Sequence, residues 1–232
     1  LLVGKRERKT TRGKLTRNSV LRINIQFKTD IKLQFITNIT VNDICAMVKL
    51  RARCILVGDA AVGKSALSQM FCSDGSHFQK NYSMTAGVEL LVKSVNIPET
   101  SDSVELYIFD SAGRETFMEA CEKMWGQPSV VCVVFEISSL DSFNSCSRWL
   151  ERVRAHCNGL QLPGVLVGNK SDLASRREVE TSVAQEWAQE QGLQYHETSA
   201  KEMENCDAPF LSLAQAFYAL YQDQRQMIQR LG

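Results

Sequence analysis

No apolar run in the 232-residue chain approaches the roughly 20 residues that a membrane-spanning helix needs; the longest, such as Val130 to Phe135, stop far short of it. No membrane span is expected. The eight cysteines (Cys45, Cys54, Cys72, Cys121, Cys132, Cys146, Cys157, Cys206) contain no Cys-x-x-Cys pair, and the three histidines, His77, His156 and His196, do not fall at zinc-ligand spacing. A zinc module is thereby disfavoured. The thiols read as reduced core residues, as in VVCVVF around Cys132, where sulfur behaves as a small hydrophobe and suits a reducing compartment. No cysteine follows Cys206 in the stretch ending QRQMIQRLG, so neither C-terminal prenylation nor a direct lipid anchor is expected.

Acidic residues are scarce at one end. Residues 1–46 hold ten Lys or Arg against three acids (Glu7, Asp30, Asp43), a net +7, whereas the rest carries 17 basic and 23 acidic residues, a net −6. Neither an apolar stretch nor a small-residue cleavage site clearly follows the basic residues, which disfavours a secretory signal. Residues 1–46 read as a basic extension, disordered or artefactual, that starts without methionine and leads into Met47-Val48-Lys49-Leu50. A transit peptide or a nucleic-acid arm are the alternatives. For residues 47–232, mildly acidic, no nucleic-acid partner is expected.

What is present is ordinary globular material, 44% hydrophobic and 23% charged, enough for one buried domain. Short β-rich runs alternate with helical segments, the pattern of an α/β sheet covered on both faces. Strands are predicted at Leu50–Val57, Val88–Val95, Ser103–Phe109, Val130–Ile137, Gly164–Val167 and Gln194–His196. Helices are predicted over Ser139–Cys157 and over Glu178–Gln191, the latter with Val183 and Trp187 on its buried face. A last apolar stripe joins Phe210, Leu213, Phe217, Leu220, Tyr221, Ile228 and Leu231. Trp125, Trp149 and Trp187 read as helix residues packed on the sheet.

Directly after the first strand stands GDAAVGKS: Gly58, Asp59, Ala60, Ala61, Val62, Gly63, Lys64 and Ser65, with Ala66 in the helix that follows. With glycine near ~7% of residues, this Gly-x-x-x-x-Gly-Lys-Ser/Thr pattern arises by chance in only ~1% of chains this long, and the strand-to-helix context it requires is met. Glycines let the backbone curl so that successive N–H groups face an anion, and the helix start adds its positive end. Lys64 supplies a charge near the β and γ phosphates, and the Ser65 hydroxyl is a hard oxygen for Mg²⁺. Further on, DSAG places Asp110 at a strand end, where it can orient Mg²⁺, and Gly113, whose N–H can approach the γ phosphate.

NKSD follows another strand. The Asp172 carboxylate can accept from N1–H and the 2-amino group of guanine, two donors that adenine lacks, and an unpaired carboxylate in a desolvated pocket would reject ATP. Lys170 can lie along the base and Asn169 can tie the segment to the phosphate loop. ETSAK, Glu197 to Lys201, comes next.

Phosphate loop, DSAG, NKSD and ETSAK, in this order and spacing, resemble the Ras-superfamily GTPases over residues 48 to 222. The resemblance implies a P-loop NTPase G domain with a mostly parallel six-stranded sheet, GTP/GDP and Mg²⁺ as cofactors, Ser199, Ala200 and Lys201 beside guanine, and Thr85 as the switch threonine that joins Ser65 and Asp110 at Mg²⁺. GDAAVGKS and TAGVEL are most similar to the Rab branch. The runs SDGSHFQKNYSMT, FDSAG and KEMEN with DAPF resemble the Rab-like GTPases of intraflagellar transport complex B. That implies a cytoplasmic and ciliary location, a small β-sandwich partner and docking through it onto coiled-coil subunits. A conventional vesicle-traffic GTPase and a constitutively nucleotide-bound adaptor are the alternatives.

One catalytic position departs from that family. Where its members carry Gln after the DxxG glycine, this chain has Arg114, whose guanidinium lacks an acceptor for the attacking water. Hydrolysis is expected to be slow, with Lys64 and Gly113 still in place. Leu90 and Phe109 stand where Phe and Trp are common, so ordinary Rab effectors are not expected to fit.

Overall fold

A computed structural model describes residues 47–74, 83–157, 159 and 162–231. The expectations for 1–46, for Cys45 and His77, for residues 75–82 of the SDGSHFQKNYSMT run and for the Leu231 side chain lie outside the described part. Six strands, β1 (Lys49–Val57), β2 (Val88–Asn96), β3 (Ser103–Ser111), β4 (Val130–Glu136), β5 (Gly164–Asn169) and β6 (Gln194–Thr198), form one sheet in the order β2-β3-β1-β4-β5-β6. Only β2 runs antiparallel to its neighbour, β3; every other pair is parallel. The α/β expectation with a mostly parallel six-stranded sheet holds.

Among the described residues the six α-helices are α1 (Lys64–Cys72), α2 (Met118–Trp125), α3 (Leu140–Asn144), α4 (Cys146–Ala155), α5 (Thr181–Glu190) and α6 (Ala208–Leu231). Alternation along β1 divides the core. Leu50, Ala52, Cys54 and Leu56 join Leu67, Phe210 and Phe217 on one face, while Ile55 and Val57 join Trp125, Trp149 and Leu166 on the other. Central strands buried on both faces explain why VVCVVF has no polar alternation. All seven described cysteines are free, six of them buried, as their apolar surroundings predict.

Three helix expectations need correction. The helix predicted over Ser139–Cys157 is two, broken at Ser145, where Ser147 Oγ donates across the junction to Asn144 O at 3.4 Å and competes for that carbonyl. Ser139 does cap the first piece, accepting from Ser142 N. The helix predicted from Glu178 starts at Thr181, because the backbone is still extended at Glu180 (ψ 141°) while the N–H groups of Glu178 and Val179 both donate to Ile137 O. Its buried face is Ala184 and Ala188, with Trp187 partly covered and Val183 exposed. In α6, Phe210, Leu213 and Phe217 are buried but Leu220 and Ile228 are exposed, so the apolar stripe outruns the sheet it packs on. Among the described residues, no helix is long and apolar enough to cross a membrane.

Candidate nucleotide-binding site

Parallel strands align their carboxyl ends, and ligands of open α/β sheets bind outside those ends. In the strand register Leu56 faces Asp110, Glu136 faces Asn169, and Asn169 faces Thr198. Every motif singled out in the sequence therefore emerges along one edge.

The phosphate loop leaves β1 at Gly58 and enters α1 at Lys64. Gly63 has φ 97°, and a Cβ there would lie 2.2 Å from Asn169 Nδ2, so only glycine fits. Lys64 folds back over the loop, its Nζ donating to Gly58 O at 2.9 Å and Asp59 O at 2.8 Å. Burial lowers its pKa to about 8, with the Asp110 and Asp59 charges opposing. An anionic phosphate would supply the counter-charge this buried ammonium lacks.

Asp110 is the feature that tests for a metal. Its side chain is fully buried, and neither carboxylate oxygen has a hydrogen-bond partner among the described residues. Burial pushes its pKa up to about 6, with Ser65 and Lys64 pulling the other way. Nearby, the Ser65 and Thr85 hydroxyls lie 2.9 Å apart. An orphaned carboxylate beside two hydroxyls is a hard-oxygen set that fits Mg²⁺. Ser65, Thr85 and Asp110, the three residues expected at the metal, are thus brought together.

At the other end, Asn169 is almost fully buried. Its Nδ2 donates to Val62 O at 2.8 Å, and its Oδ1 accepts from Thr198 Oγ1 at 3.0 Å and Ala200 N at 3.4 Å. Asp172 accepts from Ser199 Oγ at 2.7 Å and Lys201 Nζ at 3.5 Å. Burial would raise its pKa, but these partners outweigh burial and hold the carboxyl below its usual value, ionised and able to accept. Lys170 stands in the left-handed region at φ 64°, and its ammonium pairs with Glu136. Lys201 is exposed and shared between Asp172 and Glu202.

Gly113 packs backbone to backbone on the phosphate loop: a Cβ there would lie 2.4 Å from Ala60 N and from Asp59 C. Arg114, next to it, is exposed and makes no side-chain hydrogen bond or ion pair among the described residues.

A profile of the Ras family matches residues 53–219, a span that contains every residue placed at this edge. The chain belongs to the Ras family. It is 55% identical over 186 residues to the Intraflagellar transport protein 27 homolog of Homo sapiens, covering 80% of this chain and 100% of that one. It is 43% identical over 178 residues to Intraflagellar transport protein 27 of Chlamydomonas reinhardtii, covering 75% and 87%. The GTP-binding protein YPTM1 of Zea mays is 36% identical over 162 residues, 70% and 76% of the two chains. The resemblance read from the motifs stands on both levels, Ras-family domain and similarity to the intraflagellar transport GTPases.

Several residues of this Ras-family domain support the site without having been singled out for it. Asp59 counts for more than its backbone, since its carboxylate accepts from Trp149 Nε1 at 2.7 Å; Trp149 is therefore a loop anchor as well as core. Thr198 orients Asn169, and Glu136 holds Lys170. Glu197 takes both guanidinium nitrogens of Arg177 (2.9 and 2.8 Å), Thr181 Oγ1 at 2.8 Å and Tyr195 OH at 2.7 Å. The Arg177 hydrogen bonds chiefly lower its pKa, to about 2. Only the ETSAK motif itself pointed at Glu197; its partners lie on β6, at the start of α5 and just before it.

Proposed function

We propose that this chain is a guanine-nucleotide-binding, Rab-like subunit of the intraflagellar transport machinery, acting as a slow GTPase switch or scaffold in ciliary protein transport. The observation that carries the transport reading is the 55% identity across the whole length of the human relative. The acceptor edge of Asp172, held ionised by Ser199 and Lys201, supports guanine over adenine.

Ser65, Thr85 and Asp110 would hold Mg²⁺, which neutralises charge on the phosphate oxygens when bound. Lys64 and the N–H groups of Gly58 to Ser65 bind the phosphates, Gly113 reports on the terminal one, and Asn169, Lys170, Ser199 and Ala200 frame the base. Slow hydrolysis follows from Arg114, which has no lone pair for water. As partners the reading names the complex B subunits, foremost the small β-sandwich subunit, within cytoplasm and cilium.

Two measurements test it. Calorimetry in magnesium buffer should give heat with GDP and GTP and none with ATP; silence with both guanine nucleotides, or an equal response to ATP, ends the nucleotide reading. Affinity purification from ciliated cells in GTP-like and GDP-like forms should recover transport subunits, and their absence from both ends the transport reading.

A further inference from the structure

One guanidinium touches two elements of the nucleotide site at once. Arg148, on α4, places Nη2 3.4 Å from Asp59 Oδ1 in the phosphate loop and Nη1 3.0 Å from Glu115 Oε1, two residues beyond Gly113. The other Glu115 oxygen lies 2.8 Å from Arg152 Nη2, and Arg152 Nη1 reaches Glu122 on α2 at 3.4 Å. The Gly113–Phe117 segment is thus held twice, by backbone packing of Gly113 on Asp59 and Ala60 and by this fork at Glu115. Arg114 stands between the two grips.

We propose that Arg148 is a positioning residue that couples the phosphate loop to the segment following Gly113, slowing nucleotide release. Asp59 keeps a second, shorter bond to Trp149 Nε1, so the loop retains its shape when Arg148 is lost, while Glu115 keeps its bond to Arg152 and loses its link to the phosphate loop. Arginine suits the task because its planar fork serves two carboxylates in fixed directions, which a single ammonium does not. The Arg148 and Glu115 side chains are each 48% exposed, so the bridge is open to salt and weak enough to be broken.

The proposal rests on the reading that guanine nucleotide occupies this edge, and the test separates the two. Release of a fluorescent GDP from the full chain is followed by stopped flow. Arg148→Met and Glu115→Gln should each speed release about two- to fivefold, and the double variant should be no faster than the faster single one. Rising salt should bring the parent toward the variants and leave the double variant unmoved. Arg148→Lys should fall between parent and Arg148→Met, with melting temperatures unchanged throughout, as merely structural loss would not allow. Multiplying effects in the double variant, or unchanged release in both single variants, overturn the coupling alone. Failure of the parent to bind GDP overturns the coupling and the nucleotide reading together.

Discussion

Asn169 donates its side-chain amide to Val62 O at 2.8 Å, closing a loop of 107 residues between the guanine segment and the phosphate loop. The same side chain accepts from Thr198 and Ala200, so one buried amide joins three motifs. Asn169→Ala leaves these partners unsatisfied. Stability should fall by about 1–3 kcal/mol in chemical denaturation, and GDP affinity should fall with it.

Asp110 is held with its pKa at about 6, above its ordinary 3.8, so it binds a proton more tightly folded than unfolded. The sign follows from linkage. Relative to acid conditions, the nucleotide-free protein loses stability as pH rises through about 4 to 6, and the cost stays on above that window. Asp110→Asn should therefore stabilise the nucleotide-free form at pH 7.5, by about 1–3 kcal/mol, and remove that part of the pH dependence in urea titrations. The same variant should lose the stabilisation that magnesium adds to bound GTP.

Glu197 shifts the opposite way, to about 2 from 4.5, chiefly through Arg177. Its contribution is present above about 4.5 and disappears as pH falls toward 2. Because the pair is partly exposed, screening leaves about 1–2 kcal/mol. Glu197→Gln should lower stability by that amount at pH 7, and the gap from the parent should close in acid unfolding curves.

Arg114→Gln restores an acceptor beside Gly113. Single-turnover GTP hydrolysis should rise by about tenfold or more, with nucleotide affinity unchanged, since Arg114 has no side-chain partner among the described residues. A rate that is fast in the parent and indifferent to the substitution contradicts the slow-GTPase reading.

Asp172→Asn exchanges an acceptor oxygen for a donor amide facing the purine. Preference should move from guanine toward xanthine, whose 2-oxo group accepts, by about a hundredfold or more in competition binding.

Much of this molecule is written locally. The strand positions follow from β-rich runs bounded by turn residues, and the phosphate loop, Asp110, Asn169 and Asp172 follow from motifs whose chemistry is set within four to eight consecutive residues. Helix limits are harder to read, because Ser147 competes for the Asn144 carbonyl at a junction that periodicity assigns to one continuous helix. Val183 shows the same weakness: its spacing to Trp187 is helical, yet Ala184 and Ala188 face the sheet. The fate of Leu220 and Ile228 depended on where the sheet ends, and no pattern within α6 encodes that.

The sequence by itself determined the α/β architecture, the family and the motifs that gather at the carboxyl edge of the sheet, where we propose that phosphate and guanine bind, since each depends on short-range patterning and side-chain chemistry. Only the tertiary structure decided which distant groups support them: Trp149 and Arg148 on Asp59, Arg177 on Glu197, Glu136 on Lys170, and the burial of the Asp110 carboxylate without a hydrogen-bond partner among the described residues. Ion pairs and buried orphans arise from the register of parallel strands joined by long crossovers. Spacing along the chain carries no record of that proximity.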